Sequence, residues 1–119
     1  FSSPFSIRSV DLLESLNCQI YKIASFEITD LNLIRYIASK KKPIIISTGM
    51  ASEEEIDNAV GIAKDYGNGE VLLFHCVSSY PALTEDSNIK LIKTLRQKYN
   101  IEIGLSDHTL SNTASIAFS

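Results

Sequence analysis

The sequence predicts an α/β protein, a partial (β/α)8 TIM barrel holding about half of the eight units that a closed barrel needs. Three observations predict it. Short apolar, β-branched runs alternate with amphipathic helical stretches from one end of the chain to the other. The strand runs begin near residues 20, 44, 71 and 102, a spacing that fits successive βα units. Each run then ends in polar residues: Lys22-Ile23-Ala24-Ser25-Phe26-Glu27, Ser47-Thr48-Gly49, His75 to Tyr80, and Ser106-Asp107-His108-Thr109. Chemistry gathered at the carboxyl ends of parallel strands is the arrangement of α/β enzymes.

The elements follow in order. Ser6 can cap a helix over residues 7–16, with Ile7, Val10, Leu13 and Leu16 inward and Asn17 closing it. Ile20–Ile23 is a short strand. Thr29 or Asp30 can cap the next helix, where Leu31, Ile34, Ile37 and Ala38 share a face. Pro43 opens the β-branched run Ile44–Ile46. Ser52-Glu53-Glu54-Glu55 is a capping box, in which Ser52 accepts from the amide three residues on and Glu55 reaches back. Ile56, Ala59, Val60 and Ala63 form the buried stripe of that helix, and Gly67-Asn68-Gly69 stops it.

Val71–Phe74 is the third strand. Residues 87–99 are the fourth helix, with Leu91, Ile92, Leu95 and Tyr99 inward, and Ile101–Leu105 is the fourth strand. Thr113–Phe118 opens a further helix. Both ends read as cut: Phe1–Phe5 looks like the tail of an earlier strand with its loop, and the last helix has barely begun at Ser119. A closed barrel needs roughly 250 residues, so residues 1–119 are expected to be a fragment of a larger barrel. A complete flavodoxin-like domain competes, weakened by the ragged ends and by the absence of a glycine-rich loop after the first strand.

Composition narrows the function. The chain is 45% hydrophobic and 21% charged with a net charge of −3, which is ordinary for a globular segment and opposes general nucleic-acid binding. Lys40-Lys41-Lys42 reads as a solvated loop. No apolar stretch approaches the ~20 residues that cross a bilayer, and the first residues show no signal-peptide pattern. Cys18 and Cys76 have neither a metal-knuckle spacing nor a disulfide framework, so two reduced thiols and a cytoplasmic location are expected.

Lys22 interrupts an apolar strand. Charged, it can clamp a phosphate or carboxylate; neutral, it can form a Schiff base; it can also merely snorkel to solvent. Ser3, Ser25, Ser47 and Ser106 lie at or just past strand ends, each alone a turn residue, together a neutral donor set for phosphoryl oxygens. Gly49 allows close approach of a ligand or simply a turn. Glu27 and Asp107 are carboxylates able to serve as general acid or base. Tyr80 presents an aromatic hydroxyl to the same mouth. His75 and His108 follow apolar strands; two histidines suggest a metal, yet such a site needs further donors.

Ser3-Pro4-Phe5, Lys22 to Glu27, Ser47-Thr48-Gly49-Met50, His75 to Pro81, and Gly104 to Thr109 resemble, in order and spacing, the sialic acid synthase family, the Ala-Ser-Phe-Glu form being most similar to its pseudaminic acid synthase branch. The resemblance covers nearly the whole chain. It implies condensation of phosphoenolpyruvate with an open-chain acylamino sugar to give a nonulosonic acid, with release of phosphate. It implies that Lys22, Ser25, Ser47, Ser3 and Ser106 bind phosphoenolpyruvate, that Glu27 lies near the reacting centre, and that Tyr80 contacts substrate. His108 matches one of two histidine ligands of a divalent ion, Mn2+ or Mg2+, whose second ligand lies beyond these residues. Other members carry threonine at position 3, and serine keeps the hydroxyl. The family's C-terminal antifreeze-like domain, which completes the site across a homodimer, is absent, so these 119 residues alone are expected to be inactive. A Schiff-base aldolase using Lys22 and a non-catalytic βα fragment are the alternatives.

Overall fold

A computed structural model describes all 119 residues. Four parallel strands, β1 (Tyr21–Ile23), β2 (Ile44–Ser47), β3 (Val71–Cys76) and β4 (Ile103–Ser106), lie side by side in chain order. Helices α1 (Ile7–Ser15), α2 (Leu31–Ala38), α3 (Glu53–Tyr66), α4 (Lys90–Tyr99) and α5 (Thr113–Phe118) alternate with them. Strand order that advances without reversal is that of a barrel segment; a doubly wound sheet reverses at a switch point. The flavodoxin-like alternative is thereby set aside. Ser2 bridges Tyr21 in parallel, and its carbonyl accepts from the Lys22 amide at 2.9 Å, so the first residues do continue the sheet beyond β1.

The pleat sorts the strand residues onto two faces. Tyr21, Ile23, Ile44, Ile46, Val71, Leu73 and Ile103 are buried toward the helices, where Val10, Leu33, Ile34, Ile37, Ile56, Ala59, Ala63, Ile92 and Leu95 meet them in one core. The other face carries Lys22, Ile45, Ser47, Leu72, Phe74, Cys76, Gly104 and Ser106, in register across the sheet. Gly104 leaves room there for the Phe74 ring, which would lie 2.6 Å from a Cβ at that position. No helix is long and apolar enough to cross a membrane.

Most helix ends are where their side chains place them. Ser6 accepts from the Ser9 amide at 3.2 Å, and Asn17, at φ 58°, turns the chain out of α1. Asp30, rather than Thr29, caps α2 by accepting from Leu33 N at 3.0 Å. The capping box of α3 is complete: Glu55 N donates to Ser52 Oγ, and Ser52 N donates to Glu55 Oε2 at 2.7 Å.

Several boundaries and faces differ from expectation. β1 starts one residue late, and β3 runs on to Cys76. The fourth helix begins at Lys90 instead of 87, because Asn88 adopts φ 39° and separates it from a 3-10 turn over Thr84–Ser87. β4 begins at Ile103, two residues late, since left-handed Asn100 ends α4 and the chain then needs two residues to enter the sheet. Ile7, Leu16 and Leu91, expected inward, are exposed; the stripe of α4 is Ile92 with Leu95, and Leu91 flanks it. The lysine run is a loop, with Lys41 exposed, but its three amines have partners. Lys40 lies 4.0 Å from the Tyr36 ring, Lys41 donates to the carbonyls of Tyr66 and Gly67 at the end of α3, and Lys42 bridges Glu14 Oε1 and Cys18 O, both at 2.7 Å.

Candidate functional site

Parallel pairing brings the carboxyl ends of all four strands to one rim, and two side-chain clusters form there. The first joins the ends of β1, β2 and β3. Lys22 points from mid-β1 across the inner face, its Nζ 5.7 Å from the Phe74 ring centroid. Ser25 begins the 3-10 turn Ser25–Glu27 directly after β1, and its Oγ lies 3.2 Å from Cys76 Sγ. Gly49, in the turn after β2, faces both: a Cβ there would fall 2.2 Å from Ser78 Oγ, 2.8 Å from Cys76 Sγ and 2.9 Å from Ser25 Oγ. A side chain at position 49 would therefore displace these side-chain ends, and no positive φ is involved.

Ser47 ends β2 on the same face and is only 3% exposed. Its Oγ is buried with no hydrogen-bond partner, as is that of Ser78. A buried unpaired hydroxyl is costly, and a bound acceptor removes the cost.

The second cluster closes the rim at β4. His108 Nδ1 lies 2.8 Å from the Val77 carbonyl, which can only accept, so Nδ1 carries the proton. In the neutral ring the lone pair is then on Nε2, 3.3 Å from Ser106 Oγ. The Tyr80 ring leans on the imidazole with centroids 4.4 Å apart, while most of Tyr80 remains exposed.

Other expected site residues are placed differently from one another. Glu27 is half-buried beside the first cluster's 3-10 turn, with Oε2 buried and unpaired. Burial raises its pKa, a backbone hydrogen bond partly offsets this, and Asp30 pushes it further up. Ser3 follows the residue paired with Tyr21, which carries it to the level of Lys22; it makes no side-chain hydrogen bond to the others.

Two candidates are structural. His75 lies on the helix side of β3, 5% exposed, and donates from Nε2 to Ser87 O at 2.7 Å; it does not join His108. Asp107 accepts from the Thr109 amide at 2.9 Å and from Ser115 Oγ at 2.6 Å, tying the loop to α5. Those bonds, Ser115 first, hold its pKa low, which suits a fixed anion and not a general acid or base. No three His, Cys, Asp or Glu side chains come together to hold a metal. His108 alone has the form of a ligand, its Nδ1–H held by a carbonyl and its Nε2 lone pair engaged only by the Ser106 hydroxyl. Sequence reasoning passed over Cys76 and Ser78 as site residues, because nothing local signals that they touch the ends of β1 and β2.

The fold and sequence have known relatives. The NeuB family profile matches residues 1–118. The pseudaminic acid synthase of Helicobacter pylori is 46% identical over 116 residues, 98% of this chain and 34% of that protein. The N-acetylneuraminic acid (sialic acid) synthetase of Leptospira borgpetersenii serovar Hardjo-bovis, solved in complex with citrate, superposes with TM-score 0.93 at 36% identity. That match covers 98% of this chain and 40% of the synthetase. Phospho-2-dehydro-3-deoxyheptonate aldolase of Thermotoga maritima shares the fold alone, with TM-score 0.75 at 16% identity over 90% of this chain and 32% of its own. The chain thus spans about a third of the length of the curated relatives it matches.

Proposed function

The chain belongs to the NeuB family, and on that premise we propose that it forms part of the catalytic barrel of a nonulosonic acid synthase. The reaction joins C3 of phosphoenolpyruvate to the aldehyde carbon of an open-chain acylamino sugar; water adds at C2 and phosphate leaves. The acceptor is of the pseudaminic type, a choice supported by the identity to pseudaminic acid synthases. The observation that carries the reading is the first cluster: the Lys22 amine lies over the Phe74 ring on the inner face, and at the strand ends the buried hydroxyls of Ser47 and Ser78 lack any protein partner.

In this reading Lys22 supplies the positive charge for the anion, and Ser3, Ser25, Ser47 and Ser106 donate to its oxygens. Glu27, desolvated and with its pKa raised, holds a proton more readily than an ordinary carboxylate. Once ionised, it suits the positive charge that develops at C2, or the proton of the attacking water. Tyr80 and His108 form the side of the mouth where the sugar enters.

A divalent ion with His108 as one ligand and others from outside these residues would supply Lewis acidity for the sugar carbonyl. Val77 serves that role indirectly by fixing the His108 tautomer. The full-length enzyme is expected to be a homodimer whose antifreeze-like domain completes the partner's site.

The test is phosphate release by the full-length protein supplied with phosphoenolpyruvate, acylamino sugars and Mn2+ or Mg2+. Release that requires both substrates is expected. Release without sugar, or a borohydride-trapped adduct on Lys22 with a keto acid, would replace this reading with hydrolysis or Schiff-base chemistry respectively.

A further inference from the structure

Cys76 ends β3 on the inner face, 6% exposed, and its Sγ is the hydrogen-bond partner of Ser25 Oγ at 3.2 Å. Gly49 and Ser25, from the turns after β2 and β1, converge there with Ser78, two residues further along Cys76's own segment. Ser47, more than nine-tenths buried, stands two residues before Gly49 on that face, with an unpaired Oγ, and Ser78 Oγ is unpaired as well. The thiol thus meets the Ser25 hydroxyl and shares the space facing Gly49 with the unpaired Ser78 hydroxyl, while the unpaired Ser47 hydroxyl lies on the same face of the sheet.

We propose that Cys76 is a positioning residue of the anion pocket, donating its S–H to Ser25 Oγ so that the Ser25 O–H is directed at the bound phosphoryl or carboxylate group. This inference deepens the proposed function and rests on it. Sulfur is a weak donor, enough to select one rotamer of Ser25 without competing with an anion for its proton. A hydroxyl at position 76 can do the same, and a methyl group cannot. Because Cys76 Sγ belongs to the pocket wall, an anion seated against Ser25 also blocks the approach of an electrophile to the thiol.

Cys18 is the internal control. It is half-buried beyond α1, at the amino-terminal end of the sheet, and its Sγ donates to Ile20 O at 3.2 Å.

The experiment uses the full-length protein, iodoacetamide and mass spectrometry of each thiol. Phosphoenolpyruvate or inorganic phosphate at about ten times its dissociation constant is expected to slow alkylation of Cys76 roughly tenfold while leaving Cys18 unchanged. Equal labelling of Cys76 with and without anion, or none in the free protein, overturns the proposal.

Kinetics give the second arm. Cys76→Ala is expected to raise KM for phosphoenolpyruvate about tenfold with kcat within about twofold, and Cys76→Ser to restore KM. A purely packing role would lower Tm in both variants and leave KM unmoved, which also overturns the proposal. If phosphate protects Cys76 but no substrate pair releases phosphate, the synthase reading fails and the pocket stands. If wild type turns over and Cys76→Ala keeps its KM, only the Cys76 inference fails.

Discussion

Lys22 and Glu27 stand five positions apart, one at the centre of β1 and one at the end of the turn that follows it. Replacing Lys22 by alanine removes the positive charge assigned to the anion. A charged hydrogen bond contributes about 2 kcal/mol, so KM for phosphoenolpyruvate should rise some thirtyfold or more; an unchanged KM would remove Lys22 from the anion site. Glu27→Gln keeps the shape and removes the titration, and steady-state kcat should fall about a hundredfold or more.

The stability sign follows from the raised carboxyl. Between its unfolded value, about 4.3, and its raised folded value, the folded state holds more protons than the unfolded one. Stability therefore falls as pH rises through that window. Thermal melts across mildly acidic to neutral pH should show this slope in wild type and lose it in Glu27→Gln; equal slopes would contradict the assignment. Lys22, the serines and His108 were legible as candidates because each interrupts or ends an apolar run. His75 and Asp107 carried the same local signal and turned out structural. A strand buried on both faces shows no alternation, so nothing in Val71–Cys76 reveals that His75 shares its side with Leu73 while Cys76 shares its side with Phe74.

Among the elements, α3 was the most readable, since its capping box, dipole-matched glutamates and buried stripe lie within a dozen residues of sequence. Ser52→Ala should destabilise the protein by about 1 kcal/mol, seen as a lower urea midpoint with unchanged m; no shift would mean that the cap is redundant. Gly49→Ala tests the turn after β2. Its Cβ cannot be placed without moving Ser78, Cys76 or Ser25, so weaker binding of phosphoenolpyruvate is expected to exceed any loss of Tm. Wild-type affinity in Gly49→Ala would show that the crowding has no bearing on the anion. The fourth unit was misjudged by two or three residues at both element starts. Left-handed Asn88 and Asn100 make those breaks, and asparagine is also common in ordinary loops, so the residue type alone does not mark the place.

At the scale of the molecule, four strands advance in one direction and their inner face is only half-covered. The candidate site groups sit at one end of this arc, and no three His, Cys, Asp or Glu side chains among them come together to hold a metal. The proposed ion would need donors from outside these residues, so the 119 residues alone are expected to release no phosphate from phosphoenolpyruvate with any acylamino sugar; turnover by this segment alone would refute that part of the proposal.

The sequence by itself determined which segments are strands and helices, the caps that start α1 and α3, and that polar residues follow every strand. Propensity, capping and hydrophobic period act over a few neighbouring residues, so each is written locally. Only the tertiary structure decided which pleat face each residue occupies, and that Ser25, Gly49, Cys76 and Ser78 meet while His108 rests on Val77 and Tyr80. Those contacts join residues tens of positions apart through parallel pairing and register, and no local signal encodes the register of strands that are apolar on both faces.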